Sequence, residues 1–143
     1  MVADWVRAAR TLALSVGDFT MVLPHERWLN DRLMEFTFEP SDPLAATMIL
    51  VASPNQLIFF AGRGTRFELE SPARAAGEAE DLARAVAAGR LTERVGRHRV
   101  RFEVDLGDGN EASGSSTIRR DQRDVEGGTY RYAPYPDLKS GRR

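Results

Sequence analysis

The hydrophobic period of this chain changes along its length, and that change constrains the fold more than any other feature. Apolar residues recur at helical spacing over 2–16 and 71–90, whereas 19–69 mostly favours strands and 99–106 alternates strictly. Because helices bracket the strands without a regular strand–helix–strand alternation, the pattern predicts an α+β fold. We expect one antiparallel sheet of about five to seven strands with two packed helices, in the order α-β-β-β-β-β-α-β-β.

In the first part of the chain, apolar spacing and turn residues predict one helix and two strands. The helix covers residues 2–16 and ends at Gly17-Asp18. A strand over 19–23 then stops at a proline, and a connection over 25–31 leads to a strand over 34–38. The alternation of the second strand indicates that one of its faces meets a core and the other meets water.

Two short apolar runs occupy the middle of the chain. They cover residues 45–52 and 57–61, with a short Pro-Asn connection between them. Runs of this length, closed by turn residues, fit central strands that are covered on both faces. A shorter strand follows over 67–69. Ser71 and Pro72 then mark the start of the second helix, since serine caps helices and proline suits the first helical position.

The last part of the chain is predicted to contain a hairpin and a tail. The alternation over 99–106 gives the clearest strand, and the glycine-rich turn after it leads to a weak return strand over about 111–118, which we expect at a sheet edge. Charged residues at 119–128 indicate a loop. We therefore place one α+β domain at residues 1–120 and an extended tail with tyrosines and prolines at 121–143.

Composition excludes several classes of protein. A chain of 143 residues is the size of one domain, and its formal net charge of −1 favours neither nucleic acid nor anionic lipid. The absence of cysteine excludes disulfides and thiolate metal sites. Asp4, Arg7 and Arg10 interrupt what would be the apolar core of a signal peptide, and no apolar stretch approaches the roughly 20 residues that cross a bilayer. We expect a cytoplasmic protein.

Arginine supplies nearly all of the positive charge. Of 20 basic residues, 19 are arginine and Lys139 is the single lysine, which is typical of a bacterial protein from a GC-rich genome. The alternative is selection for guanidinium groups that grip carboxylates or phosphates. Because the bias runs through the whole chain, it favours the genomic explanation.

Three short motifs approach known sites without completing them. His25-Glu26 begins like a zinc-protease helix, but Leu29 stands where the second histidine is needed. The oxygen-rich turn at 105–111 lacks EF-hand spacing. Gly62-Arg63-Gly64 follows a strand but opens no helix, unlike a dinucleotide loop. The sequence therefore predicts no catalytic residues, no metal site and no cofactor.

Basic residues and tyrosines supply the candidate binding residues. The C-terminal Tyr130, Arg131, Tyr132 and Tyr135 are of the types enriched at binding hot spots, so they either contact a partner or fold back on their own sheet. A second group could line a ligand pocket or a small active site: Arg63, Arg66 and His98. A third candidate is the arginine cluster at 90–101, which includes Arg99 and Arg101 and could contact phosphates, although acidic residues dilute it.

Three stretches of the C-terminal third form a pattern within residues 82–136: the stretch 85–93, the strand over 100–105 with the Gly107-Asp108-Gly109 turn, and Tyr132-Ala133-Pro134-Tyr135. In these residues the chain resembles small uncharacterised actinobacterial proteins. The resemblance carries no known activity. The element order is also similar to that of toxin-immunity proteins and secretion chaperones, and this analogy implies only an architecture.

We therefore expect a non-enzymatic protein-binding domain that acts by stoichiometric contact, in the manner of an immunity protein or a chaperone. One alternative is a small-ligand-binding domain or small enzyme with a pocket lined by arginine and histidine. Another is a weak nucleic-acid binder that uses the cluster at 90–101. An unpaired edge strand could also support a homodimer.

Overall fold

The computed structural model of the protein describes residues 2–117 and 126–138, and these residues form two helices and nine strands. The helices are α1 (Asp4–Thr20) and α2 (Pro72–Ala87). The strands are β1 (His25–Asn30), β2 (Leu33–Phe38), β3 (Met48–Ala52), β4 (Leu57–Ala61), β5 (Thr65–Leu69), β6 (Leu91–Val95), β7 (Arg99–Gly107), β8 (Asn110–Thr117) and β9 (Gly128–Arg131). One antiparallel sheet has the order β1-β2-β3-β4-β5 and the other β8-β7-β6-β9. The predicted α+β class is confirmed, with two sheets where we expected one.

Helix α1 continues beyond the point at which the sequence predicted its end. Phe19 lies on the helix and is buried, because it extends the apolar stripe of Leu12 and Val16 at helical spacing. Gly17 lies within the helix, where its lack of a side chain allows close contact with Pro24: a Cβ at this position would lie 3.0 Å from Pro24 Cδ. The strand predicted over 19–23 is therefore wrong. The chain leaves the helix at Met21, which has a φ of 58°.

The segment predicted as a connection over 25–31 contains the edge strand β1. Its residues are all exposed, so it shows none of the alternation that marks a strand with one buried face. β1 pairs with β2 and is held against α1 by two contacts. Trp28 meets the ring of Trp5 edge-on, and Arg10 donates two hydrogen bonds to Glu26, at 3.0 and 2.9 Å. This ion pair lowers the pKa of the Glu26 carboxyl.

The second sheet contains two strands that we did not predict. β6 lies inside the arginine cluster, and β9 lies inside the segment expected to be an extended tail from residue 121. β9 pairs with β6 from Thr92↔Arg131 to Val95↔Gly128, so these residues belong to the sheet. β8 is at the edge of its sheet, as predicted. The loop expected at 119–128 lies mostly outside the described residues.

The core lies between the helices and one face of the first sheet, which we call the inner face. Both helices contact β2, β3 or β4, and α2 also contacts β7 of the second sheet. The helix α2 buries small residues, including Ala75 and Ala79, as its sequence predicted for a closely packed helix. The two sheets meet along β5, where the Phe67 ring lies edge-on to Phe102 at 5.1 Å between centroids.

Neither helix in the described part of the chain is long and apolar enough to cross a membrane.

Candidate functional site

A buried carboxylate joins the two sheets. Glu93 lies on β6 between Leu91 and Val95, faces inward and is 0% exposed. Its oxygens accept hydrogen bonds from the backbone N–H groups of residues 63, 64 and 65, each at 2.9 Å. The Thr65 hydroxyl donates a further bond at 2.7 Å, and the Tyr132 hydroxyl donates another. Consecutive N–H groups that converge in this way form an anion-binding nest, which here holds a carboxylate of the same chain.

The β4–β5 turn can hold this carboxylate because Gly62 is a glycine. Its φ is 59°, in the left-handed region that glycine adopts without strain. A Cβ at this position would lie 2.7 Å from Glu93 Oε1 and 2.7 Å from the Tyr132 hydroxyl. The Gly-x-Gly that the sequence analysis compared with a dinucleotide loop thus binds an anion supplied by β6.

We expect Gly62→Ala to lower the free energy of unfolding by roughly 1–3 kcal/mol, because it combines a strained φ with a clash against the carboxylate. Gly77→Ala is the matched control, since Gly77 lies within α2 and a Cβ there meets nothing within 4 Å. That change should stabilise the protein by about 0.5–1 kcal/mol. Chemical denaturation measures the change in the free energy of unfolding of each variant. Equal changes for Gly62→Ala and Gly77→Ala would contradict the role given to Gly62 in the turn.

The tyrosines of the C-terminal segment contact the chain's own turn and core. Arg63 stacks on Tyr130, with its guanidinium carbon 3.7 Å from the ring centroid, and donates to the Tyr132 hydroxyl at 2.8 Å. Tyr135 is 2% exposed and donates to the carbonyl oxygen of Ala46 at 2.6 Å. Burial raises the pKa of Tyr135, and burial with the Glu93 hydrogen bond raises the pKa of Tyr132. The arrangement corresponds to the alternative in which the segment folds back on its own sheets.

The other predicted site residues are dispersed over the surface. They are Arg66 on β5, Arg99 and Arg101 on β7, His98 in the β6–β7 turn and Arg131 at the end of β9. All five are exposed. Arg66 pairs with Glu68 at 2.7 Å, and Arg99 donates to the Ser115 hydroxyl at 3.4 Å.

The described part of the protein has two sizeable open cavities among its surface depressions, and neither of these two is lined by Arg63, Arg66 or His98. The larger, about 730 Å³, lies between α2 and the β7–β8 turn, where Arg84 and Arg90 accompany three acidic residues. The smaller, about 530 Å³, lies between the two helices. The residues proposed for an arginine- and histidine-lined pocket are therefore not brought together around either cavity.

The outer face of the first sheet is the face opposite the helices, and its centre is apolar. The central side chains are Ile49 and Val51 on β3 and Ile58 and Phe60 on β4; all four are partly exposed and none belongs to the core cluster. The sequence predicted these strands to be covered on both faces, but their residues alternate between buried and partly exposed. In an uninterrupted apolar run, the sequence does not show which alternate residues face the core. On a folded protein, a contiguous apolar patch on the surface often marks an interaction site.

Charged pairs flank this apolar centre on both sides. Arg27 and Glu35 lie on β1 and β2, with a nitrogen–oxygen distance of 3.0 Å. Arg66 and Glu68 lie on β5 at the opposite margin. An apolar centre with a polar rim is the usual anatomy of a protein–protein interface. Of these residues only Arg66 was singled out from the sequence, because the apolar residues of β3 and β4 looked like core.

Among residues 2–117 and 126–138, no group of three or more histidine, aspartate or glutamate side chains is placed to hold a metal ion. Within the same ranges, every buried side-chain nitrogen or oxygen has a hydrogen-bond partner.

No protein family, curated protein or solved structure matches the chain. The resemblance of residues 82–136 to small actinobacterial proteins therefore stays a prediction.

Proposed function

We propose that this chain is a non-enzymatic protein-binding domain of the bacterial cytoplasm, which acts by stoichiometric contact through the outer face of its five-stranded sheet. The observation that carries this proposal is the partly exposed apolar centre formed by Ile49, Val51, Ile58 and Phe60. Burial of such side chains by a partner is favourable at about 25 cal/mol per Å² of apolar surface. Immunity proteins and chaperones act by binding to a partner's surface, and this action needs no catalytic residues.

The surroundings of the buried carboxylate support a structural role for Glu93 over a catalytic one. Its two oxygens accept hydrogen bonds from five donors: the N–H groups of residues 63, 64 and 65 and the hydroxyls of Thr65 and Tyr132. A general base needs access to a substrate proton, whereas these oxygens are enclosed and occupied by donors of the fold.

The arginine cluster at 90–101 is a weaker candidate for nucleic-acid binding than its sequence suggested. Arg94 and Arg101 lie opposite each other in register on the exposed face of the second sheet. Glu103 forms an ion pair with Arg94, and Asp105 lies opposite Glu111 on the same sheet. Carboxylates along the same strands would repel a phosphate backbone, so we place the binding surface on the other sheet.

The test of this function is affinity capture from host lysate with the tagged chain and two variants. Ile58→Arg places a charge at the apolar centre, and we expect it to reduce capture of a stoichiometric protein by at least about tenfold. Leu14→Arg is the matched control, since Leu14 is an aliphatic residue on α1 that is 69% exposed, and it should leave capture unchanged. A partner retained equally well by Ile58→Arg would overturn the assignment of this face.

A further inference from the structure

The first sheet has one edge that the rest of the described chain leaves open. β1 pairs with β2 on one side, and no described strand pairs with it on the other. The edge at β5 meets the second sheet instead. There the Ser116 hydroxyl of β8 donates to the carbonyl oxygen of Gly64 at 2.6 Å, and Phe67 of β5 contacts β7. β1 is therefore the open edge of this sheet.

The contacts between β1 and α1 do not cover this edge. They are made by Glu26 and Trp28, which stand opposite Phe36 and Met34 of β2. These two β2 residues are buried on the inner face, and opposite residues of antiparallel strands share a face, so α1 packs on the inner face of β1. Alternate residues of an edge strand direct their backbone N–H and C=O groups away from the neighbouring strand. Within the described ranges, the outward groups of residues 25–28 have no backbone partner.

Exposed apolar side chains are concentrated beside the same edge. Of the seven large apolar side chains that are exposed in the described chain, four lie within residues 21–29: Met21, Leu23, Trp28 and Leu29. Leu23, just before β1, is 92% exposed, and Trp28 on β1 is 44% exposed. An open sheet edge and a local concentration of apolar surface are two separate features that mark interaction sites.

We propose that β1 binds an extended segment of a partner protein as a sixth strand of the first sheet. This proposal rests on the proposed function and specifies the form in which the partner binds. The open backbone groups determine that form, because only another extended backbone presents donors and acceptors at the spacing of an edge strand. In this mode of recognition, backbone hydrogen bonds supply affinity and side chains at alternate positions supply specificity.

The side chains of β1 predict the kind of sequence that the added strand has. On the inner face it lies beside Trp28, whose exposed part favours an apolar side chain opposite it. On the outer face it lies beside Arg27, whose side chain is 59% exposed and disfavours a lysine or arginine opposite it. Because successive side chains of a strand alternate between the faces, we expect apolar and polar residues to alternate in the segment. Proline is expected to be absent from its donating positions, since proline has no N–H group.

β1 lacks two features that protect many edge strands from such pairing. It contains neither proline nor lysine. Its charged residues Glu26 and Arg27 each form an ion pair within the chain. The bulge at Leu29 limits the regular edge to residues 25–28, so the added strand forms only a few hydrogen bonds and its binding should be reversible.

Peptide selection followed by amide exchange tests strand addition directly. A phage-displayed library of short random peptides is selected on the wild-type chain, and the enriched peptides are synthesised. We expect these peptides to slow hydrogen exchange of the outward backbone amides within residues 25–28 by at least about tenfold, because hydrogen-bonded amides are protected. Exchange in α2 should not change. A library that yields no binder, or peptides that bind without protecting these amides, would overturn the proposal.

Two charges introduced beside the edge provide a second measurement. The double variant Leu23→Arg and Leu29→Arg places cations on the exposed apolar surface, and we expect it to bind the enriched peptides at least about tenfold more weakly than the wild type. Both side chains are exposed, so the core is left intact, and circular dichroism verifies the fold. Leu14→Arg is the matched control on α1 and should bind the peptides like the wild type. Equal binding by the double variant and the wild type would contradict the proposal.

The possible outcomes distinguish this proposal from the assignment of the outer face. Ile58 lies on β4, three strands from β1, so Ile58→Arg should leave peptide binding unchanged. If no peptide binds at β1 but Ile58→Arg loses lysate capture, strand addition is wrong and the proposed function is supported. If peptides protect β1 while capture survives Ile58→Arg, strand addition is supported and the outer face is wrong. Protection of residues 25–28 that increases with the concentration of the chain alone would indicate pairing with a second copy, and would overturn a different protein as the partner.

Discussion

Replacement of Glu93 by alanine is expected to lower the free energy of unfolding by about 3–5 kcal/mol. The substitution removes a fully buried carboxylate and leaves the N–H groups of residues 63, 64 and 65 without an acceptor. The Thr65 and Tyr132 hydroxyls lose the same partner. A buried N–H or O–H group without an acceptor destabilises the fold, because it has given up its hydrogen bonds to water without forming new ones. The substitution also removes the side-chain link between β6 and the β4–β5 turn.

Urea denaturation of two further variants separates the charge from the size of the side chain. Glu93→Gln keeps the shape but turns an amide N–H₂ group toward donors, so its stability should fall between those of the wild type and Glu93→Ala. Glu78→Gln serves as the matched control on an exposed position of α2 and should change stability by less than about 0.5 kcal/mol. If Glu93→Ala unfolded at the same urea concentration as the control, the carboxylate would not be a link between the sheets.

Strands whose sequence shows an apolar alternation or a short apolar run could be predicted, and strands without either signal, such as β6 and β9, could not. β2, β4 and β7 alternate in burial, and their sequences predicted them within one or two residues. β1 is exposed along its whole length, so no hydrophobic period distinguishes it from a loop. The division into two sheets depends on which strands pair across long stretches of chain. Local periodicity contains no information on that choice.

The candidate site escaped prediction for a different reason. Glu93 occupies an inward position between Leu91 and Val95, and that spacing was visible in the sequence. We interpreted the segment by its charges, because glutamate is almost never fully buried unless it is paired. Its partners are backbone N–H groups of a turn some thirty residues earlier, a contact that only the folded chain creates. The outer face was missed likewise, since its isoleucines and phenylalanine were assigned to the core.

The burial of Tyr135 makes the C-terminal segment a part of the fold, and we expect Tyr135→Ala to cost about 3–5 kcal/mol of unfolding free energy. The ring belongs to the core cluster, and its backbone N–H donates to the carbonyl oxygen of Ala87 at 2.7 Å. Removal of the whole segment from residue 129 would therefore destroy the fold, so loss of a partner on truncation would not identify a contact. Point substitutions on the outer face avoid this ambiguity.

Tyr135→Phe isolates the hydroxyl of this residue. It removes the hydrogen bond to the carbonyl oxygen of Ala46, at 2.6 Å, and should cost about 1 kcal/mol, with up to about 3 kcal/mol if the carbonyl is left without a donor. Tyr130→Ala is the matched control, because that ring is partly exposed and stacks on the exposed Arg63. It should cost no more than about 1 kcal/mol. Equal losses for Tyr135→Ala and Tyr130→Ala in thermal and urea unfolding would mean that Tyr135 does not anchor the segment. Truncation of the segment would then be a valid test of its part in partner binding.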